Sequence, residues 1–150
     1  MAFNNNRYQD AVPPPIIPKN LPEDYVDLAE KHMRQYMDRL AWNRRISTTK
    51  IRNLLGLLTD CYQSENRTTA EKIALESAEA LDALHVRMIN EIGRDKSNSN
   101  NNVGPFVRET ELLQYLAGVR GSRNRKALLR FYHYMEALVA YHKYMGGKEG

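Results

Sequence analysis

The sequence contains a single cysteine, Cys61, among its 150 residues. One cysteine cannot form an intramolecular disulfide, and it excludes a zinc or iron–sulfur site built from several cysteines of one copy. Long hydrophobic runs are also missing, since the longest have about five residues whereas a membrane-spanning helix needs roughly 20. The first ten residues lack the apolar region of a signal peptide. These features predict an intracellular, cytoplasmic protein with no membrane segment.

Proline is almost confined to the N-terminal region. Five of the six prolines lie between positions 13 and 22, and the sixth is Pro105. Because proline is excluded from helix interiors, the two long proline-free stretches predict helices, which their abundant Leu, Ala, Glu, Lys and Arg also favour. No stretch alternates apolar and polar residues as a strand does. Residues 1–21 are therefore expected to be a disordered or extended proline-rich arm, and residues 22–147 an all-α single domain.

Apolar spacing divides this domain into a bundle of about five helices. The first three are predicted near 22–41, 47–62 and 68–93. Thr68 and Glu71 form a capping box that predicts the start of the third helix, and Gly93 is a typical left-handed stop at its end. A mobile loop is expected over about 94–104. Pro105 then opens a short fourth helix, and Ser122 caps a fifth that runs to about residue 145.

The sequence shows no catalytic motif. It lacks a glycine-rich phosphate loop and a His-Glu-x-x-His pattern, and Asp82-x-x-His85 occurs only once, whereas a di-iron bundle needs such a motif in duplicate. His85 fits the edge of the core better than a metal site. On the last helix His142 points to the apolar stripe and His133 away from it, so the two cannot bind one ion. Cys61 is expected to be a buried small hydrophobe. We predict no enzymatic activity, no metal and no cofactor.

Basic residues are concentrated in two stretches that contain no acid. The net charge is only +4, from 22 Lys and Arg against 18 Asp and Glu. Yet five cations fall between Arg39 and Thr59, and five more between Leu112 and Met135. A surface that binds a phosphate backbone requires such segregation, because nearby acids repel the phosphates. A merely solvated basic face and a helical module that binds only proteins are the alternatives that this pattern leaves open.

The positions of these residues on the predicted helices sharpen the hypothesis. Lys50 and Arg52 lie in the first turn of the second helix, where free N–H groups and the helix dipole favour an anion, although the two could also snorkel beside the apolar stripe. Arg87 and Arg94, seven positions apart, share a face of the third helix. The last helix is predicted to carry one basic face edged by aromatic rings: Arg123, Lys126, Arg130, His133, Tyr134 and Tyr141.

Three stretches of the sequence resemble a known family. They are residues 46–55 (ISTTKIRNLL), residues 87–95 ending in Gly-Arg-Asp, and residues 134–143 (YMEALVAYHK). Together they resemble the small helical subunit of type III-A CRISPR–Cas effectors, the Csm complex, in order and spacing over roughly residues 22–147. The resemblance implies an all-helical, non-catalytic subunit in antiviral defence. Several copies would stack alongside the subunits that hold the guide RNA, and contact the guide–target duplex through phosphates.

The charge pattern and the resemblance together predict the RNA-binding residues: Arg45, Lys50, Arg52, Arg87, Arg94, Arg120, Arg123, Arg125, Lys126 and Arg130. Backbone contacts of this kind tolerate any RNA sequence. The implied partners are guide RNA, target RNA, other Csm-complex subunits and other copies of the chain. The alternative is a helical adaptor that binds only protein partners. The proline-rich arm and the asparagine-rich loop fall outside the family pattern.

Overall fold

A computed structural model describes residues 12–95 and 101–150. Within these ranges the chain forms seven α-helices and a short 3-10 turn at Trp42–Arg44, with no strand. The helices are α1 (Tyr25–Arg39), α2 (Thr48–Gly56), α3 (Thr59–Glu65), α4 (Leu75–Asp95), α5 (Val103–Thr110), α6 (Leu112–Ser122) and α7 (Arg125–Tyr144). The all-α class is confirmed, and the helix count is higher than predicted because two expected helices are each divided. The start of the predicted arm and the middle of the predicted loop lie outside the described residues.

The core forms where α1 and α7 pack along each other. Ala29, Met33 and Tyr36, which recur at helical spacing on α1, are fully buried as the periodicity predicts. The Tyr36 hydroxyl accepts a hydrogen bond from the backbone N–H of Ile46 at 2.7 Å, and its ring meets Phe106 edge to face with centroids 5.4 Å apart. These contacts fix the connector after α1 against the bundle and thereby set where α2 begins.

The helix predicted over 47–62 is divided into α2 and α3. Leu57 N–H bonds to the Leu54 carbonyl at 3.2 Å and Leu58 N–H to the Leu55 carbonyl at 2.9 Å, so the last turn of α2 tightens to i→i+3 bonding. The bend leaves Leu57 exposed. Leu54, Leu58 and Cys61 nevertheless stay buried on both sides of it. The apolar stripe was predicted correctly. The break between α2 and α3 could not be predicted, because the apolar spacing continues across it.

The predicted fourth helix is likewise divided, into α5 and α6. Glu111 lies between them with φ 57°, a left-handed conformation that ends one helix and begins the next. At the other end, α5 begins two residues before Pro105, which occupies its first turn. The Asp95 carboxylate, from the end of α4, accepts hydrogen bonds from the backbone N–H groups of Val103, at 3.3 Å, and of Gly104. A side chain from the preceding helix therefore caps α5.

The capping box predicted at the start of the third helix is wrong. Residues 68–74 are not helical, and α4 begins only at Leu75. Its cap is Glu65, a buried residue at the end of α3, whose carboxylate accepts from Ala74 N–H at 2.9 Å and from the Ser77 hydroxyl at 2.6 Å. A carboxylate here also opposes the positive end of the α4 dipole. The helix does not begin at the predicted cap, because the side chain of Glu65, from the preceding helix, accepts from the donors at a later start.

The segment before α4 instead pairs with the linker between α6 and α7. Ile73 N–H bonds to the Arg123 carbonyl at 3.0 Å and Arg125 N–H to the Glu71 carbonyl at 2.9 Å, in antiparallel fashion. This pairing places the start of α7 at Arg125, later than predicted. Asn124 is its N-cap and accepts from Ala127 N–H at 2.9 Å, so the prediction that Ser122 caps this helix is also wrong.

Gly93 does not stop α4, contrary to the prediction, because the helix continues to Asp95. Gly93 has no left-handed φ, and a Cβ built on it meets nothing within 4 Å. We expect Gly93→Ala to raise the free energy of unfolding by about 0.5–1 kcal/mol, since alanine is the better helix former. Urea denaturation measures the change. Gly146, at φ 81°, provides the contrast, because alanine there is expected to destabilise. A loss of stability at Gly93 would instead indicate a left-handed stop.

The described part of the N-terminal arm lies against α6 and α7. Residues 12–20 have no regular structure. Lys19 N–H bonds to the Gln114 carbonyl at 2.9 Å, and Arg130 donates to the Leu21 carbonyl at 3.2 Å. The arm is therefore held by backbone groups at its C-terminal end. Across the described residues, no helix combines the length and apolarity needed to cross a membrane.

Candidate nucleic-acid interface

Three of the predicted RNA-binding cations converge on one pocket. Lys50 comes from the first turn of α2, and Arg87 and Arg94 come from α4. The pocket has a volume of about 250 Å³ and is lined, among the described residues, by Lys50, Asn53, Leu54, Arg87, Glu91, Arg94, Asn101 and Val103. We call it the Glu91 pocket. The sequence placed Lys50 and the two arginines on separate helices, and the packing of α2 on α4 brings them together.

Glu91 organises the two arginines of this pocket. Its side chain is only 10% exposed, and its Oε1 accepts from Arg87 Nε at 3.3 Å and from Arg94 Nη1 at 3.2 Å. Burial alone would raise the pKa of Glu91. A hydrogen bond from Asn101 and the charges of Arg94, Arg87 and Lys50 outweigh burial and hold this pKa below its ordinary value. The carboxylate is therefore ionised at neutral pH, and three cations surround one anion.

Lys50 is fixed from the opposite side of the pocket. Its ammonium donates to the backbone carbonyl of Asn101 at 3.1 Å and to the side-chain oxygen of the same residue. The Asn101 amide in turn donates to the Glu91 carbonyl at 2.8 Å. Lys50 is half-buried, whereas the side chains of Arg87 and Arg94 are 52% and 57% exposed. The two guanidinium groups thus reach solvent, whereas polar contacts hold Lys50 and Glu91 in place at the inner end of the pocket.

The backbone donors at the N-terminus of α2 are not available to an anion, contrary to the prediction. Thr48 N–H bonds to the Lys148 carbonyl at 2.8 Å, and Thr49 N–H bonds to the Glu149 carbonyl at 3.0 Å. Ser47, the N-cap, accepts from Lys50 N–H at 3.2 Å. The C-terminal segment therefore caps this helix. Anion binding near α2 would have to use side chains instead.

His142 contacts the residues at the start of α2 from the core side. It is fully buried, as predicted, and its Nε2 donates to the Ile46 carbonyl at 3.0 Å. Because a carbonyl can only accept, Nδ1 is left to accept from the Thr48 hydroxyl, 2.9 Å away. Burial lowers the pKa of His142, so the ring is neutral at pH 7. This histidine belongs to the core and does not face the Glu91 pocket.

The second basic stretch does not form the single helical face that was predicted. Arg123 precedes α7 and caps the end of α6 with φ 53°. Arg120 pairs with Asp82 at 3.0 Å, and Arg125 donates to the carbonyls of Ala70, at 2.7 Å, and Glu65, at 3.0 Å. Lys126 is exposed and forms no ion pair with any described residue. These cations are therefore divided between structural hydrogen bonds and open surface.

Three further predicted features have different environments. Arg45 donates to the carbonyls of Leu40 and Met37 at 2.7 Å each and so caps the C-terminal end of α1. Arg52 is exposed on α2. Tyr134 cannot stack on a base as proposed, because it is fully buried and its hydroxyl donates to the Thr110 carbonyl at 2.7 Å. Arg45 is thus mainly engaged with backbone, whereas Arg52 is open to a ligand.

Cys61 and His85 both belong to the packing of the core. Cys61 is buried as predicted, and burial is the main cause that raises the pKa of its thiol to about 11. His85 lies at the edge of the core as predicted, but its Nδ1 has no hydrogen-bond partner among the described residues. No group of three or more His, Cys, Asp or Glu side chains suited to a metal ion occurs in the described part of the chain.

Sequence reasoning missed Glu91 and Asn101. The signal for Glu91 was present, because it follows Arg87 by four residues and precedes Arg94 by three, spacings that bring helix side chains together. No comparable signal existed for Asn101, whose contacts with Lys50 and Glu91 depend on how the chain returns after α4. Glu91 changes the interpretation of Arg87 and Arg94, which form one pair around its carboxylate, and Asn101 does the same for Lys50.

Comparison with known proteins gives a consistent result. A family model described as Csm2 Type III-A matches residues 23–148. The protein named CRISPR system Cms protein Csm2 from Mycobacterium tuberculosis (strain ATCC 25618 / H37Rv) is 35% identical over 104 residues, which cover 69% of this chain and 78% of that protein. The protein of the same name from Streptococcus thermophilus is 29% identical over 127 residues, covering 85% of this chain and 95% of that protein.

Proposed function

The chain belongs to the Csm2 family of type III-A CRISPR systems, and we propose that it is a non-catalytic subunit of a Csm complex that binds the sugar–phosphate backbone of guide and target RNA. The observation that carries this proposal is the Glu91 pocket. Arg87 and Arg94 present exposed guanidinium groups around one buried carboxylate, with Lys50 behind them. A surplus of two positive charges in one pocket suits a phosphodiester, which carries one negative charge per nucleotide.

The same pocket favours contact with phosphates over recognition of bases. Arginine side chains held by a carboxylate at one edge keep a planar guanidinium oriented toward solvent, the geometry in which arginine binds phosphate oxygens. Arg52 is exposed on α2 but does not line the pocket, and because it follows Lys50 by two residues it lies on another side of the helix, where it would contact a separate phosphate. Contacts of this kind carry no sequence information, so one subunit can bind any guide and any target.

Stacking of several copies is part of the same proposal. Leu57, Ala83 and Val86 form a shallow apolar patch between α2 and α4, and the Val86 residue is 64% exposed. Arg87 borders both this patch and the Glu91 pocket. An exposed apolar patch beside a basic pocket suits a contact with a neighbouring subunit along one RNA strand. The weak affinity of one copy would then accumulate along the array.

A salt titration with RNA tests the proposal. If Lys50, Arg52, Arg87 and Arg94 each contact one phosphate, the logarithm of the binding constant is expected to fall with the logarithm of salt concentration at a slope near −3, from about 0.7 to 0.9 per contact. Fluorescence anisotropy with two labelled RNAs of equal length and unrelated sequence measures this slope. The two affinities are expected to agree within about threefold.

Two results would contradict backbone binding. One is a slope near zero, and the other is a preference of more than about tenfold for one RNA sequence. If the chain binds no RNA at any salt concentration but co-purifies with other Csm subunits, the adaptor that binds only protein partners becomes the better interpretation. In that case the apolar patch formed by Leu57, Ala83 and Val86 would be the surface to examine.

A further inference from the structure

We propose that a second pocket, between the N-terminal arm and helices α6 and α7, binds the phosphate group of a nucleotide. Its volume is about 250 Å³. Its lining comes from the arm, from α6, and from the cap and first turns of α7, and it includes Lys19, Leu21, Val119, Asn124, Lys126 and Arg130. We call it the arm pocket. It shares no lining residue with the Glu91 pocket and does not depend on the RNA contacts proposed there.

The arm pocket is positively charged and has no carboxylate among its described lining residues. Lys19 is compensated by an ion pair with Glu111 at 2.5 Å. Arg130 donates one N–H to the uncharged carbonyl of Leu21, so its full charge is retained. Lys126 forms no ion pair with any described residue. Two uncompensated cations therefore border one cavity, as a phosphate group requires.

The remaining lining explains why a nucleotide fits better than a bare anion. Asn124 accepts from Ala127 N–H through its side-chain oxygen, so its amide N–H groups are left to donate. Leu21, Val119 and Ala127 add apolar surface on which a sugar or a base can lie. The volume is slightly below the roughly 300 Å³ at which typical small-molecule sites begin, so one nucleotide is the largest suitable unit.

The arm forms one wall of this pocket, and Gly118 is what allows it to do so. A Cβ built on Gly118 would overlap the backbone carbonyl of Lys19. Gly118→Ala must therefore push the arm away from α6 without changing any side chain that lines the pocket. Gly121, on the same helix, is a matched control, because a Cβ there meets nothing within 4 Å. This pair of variants separates a built pocket from cations that are merely exposed.

The experiment measures binding of two probes, AMP and a short labelled oligouridylate, to the full chain at low salt. Adenosine, which lacks the phosphate, serves as the negative control for AMP. We expect both the Lys126→Ala/Arg130→Ala double variant and Gly118→Ala to weaken binding of at least one probe by tenfold or more, with Gly121→Ala unchanged. Loss of AMP binding identifies a free nucleotide as the source of the phosphate, and loss confined to the oligonucleotide identifies an RNA strand.

The proposal is overturned if both probes bind a folded Gly118→Ala variant as well as wild type, because the cations are then merely exposed. It is equally overturned if both probes bind the double variant as well as wild type, or if neither probe binds the wild type at millimolar concentration. It is also overturned if adenosine binds as well as AMP. Circular dichroism establishes that each variant is folded, and the double variant still decides the question if Gly118→Ala does not fold. Alanine substitution of Lys50, Arg87 and Arg94 should leave AMP binding intact, so failure of the RNA proposal and failure of this one are distinguishable.

Discussion

Replacing Lys50, Arg87 and Arg94 together with alanine is expected to weaken RNA binding by about two orders of magnitude at 0.1 M salt. Each phosphate contact contributes about 0.7 to 0.9 to the salt slope, so each is worth roughly sixfold in affinity at this concentration. Three contacts multiply to about 200-fold, and the slope itself should fall by about 2 to 3 units. Fluorescence anisotropy over a range of salt concentrations measures both quantities.

A control with the same change in net charge is available on other helices. Lys31, Arg34 and Lys143 are exposed, and Arg34 pairs with Glu30 at 2.8 Å with the same i,i+4 spacing that joins Arg87 to Glu91. Alanine at these three positions is expected to reduce the affinity only slightly, through the loss of long-range attraction. If both triple variants weaken RNA binding equally, total charge governs it and the Glu91 pocket has no special role.

Glu65→Ala is expected to lower the free energy of unfolding by about 2–3 kcal/mol. The carboxylate is buried, and its removal leaves the N–H of Ala74 and the hydroxyl of Ser77 without their acceptor. A buried donor left without a partner costs about 1–3 kcal/mol, and hydrogen bonds to charged groups lie at the upper end of the scale. Urea denaturation followed by circular dichroism measures the loss.

The same substitution at Glu71 is the matched control. Glu71 is the N3 residue of the capping box that the sequence predicts, with Thr68 as its N-cap, but it is exposed and lies outside the helix. Glu71→Ala is expected to change stability by less than about 0.5 kcal/mol, as is usual for exposed side chains. Equal losses at the two positions, or a larger one at Glu71, would mean that the capping box forms after all.

Patterns that depend on neighbours in sequence were predictable. The buried residues of α1 follow from 3.6-residue spacing, and the burial of Cys61 and His142 follows from the stripes on which they lie. The helical class followed from the placement of proline and from helix propensity. The sequence was enough to identify Lys50, Arg87 and Arg94 as cations on particular helix faces. The resemblance of the sequence to a known family indicated the same positions.

Features that depend on distant contacts were not predictable. Glu65 displaces the local cap of α4, Asp95 caps α5 across the loop, and the 71–73 segment pairs with the linker after α6. In each case a local preference worth about 1 kcal/mol competes with a tertiary hydrogen bond of similar or larger value. The same reasoning explains the Glu91 pocket, whose Asn101 contacts join α2 and α4 only after the chain has folded.

The capping of α2 by the C-terminal segment also constrains the order in which the chain folds. Thr48 and Lys148, which meet there, are 100 residues apart in sequence. During synthesis the amides of Thr48 and Thr49 cannot make these bonds until residues 148 and 149 have emerged, whereas Ser47 can cap the amide of Lys50 as soon as α2 is made. Closing so long a loop delays the contact further, because such closures cost conformational entropy before they are rewarded. We therefore expect the bonds from Thr48 and Thr49 to the C-terminal segment to be among the last contacts that form.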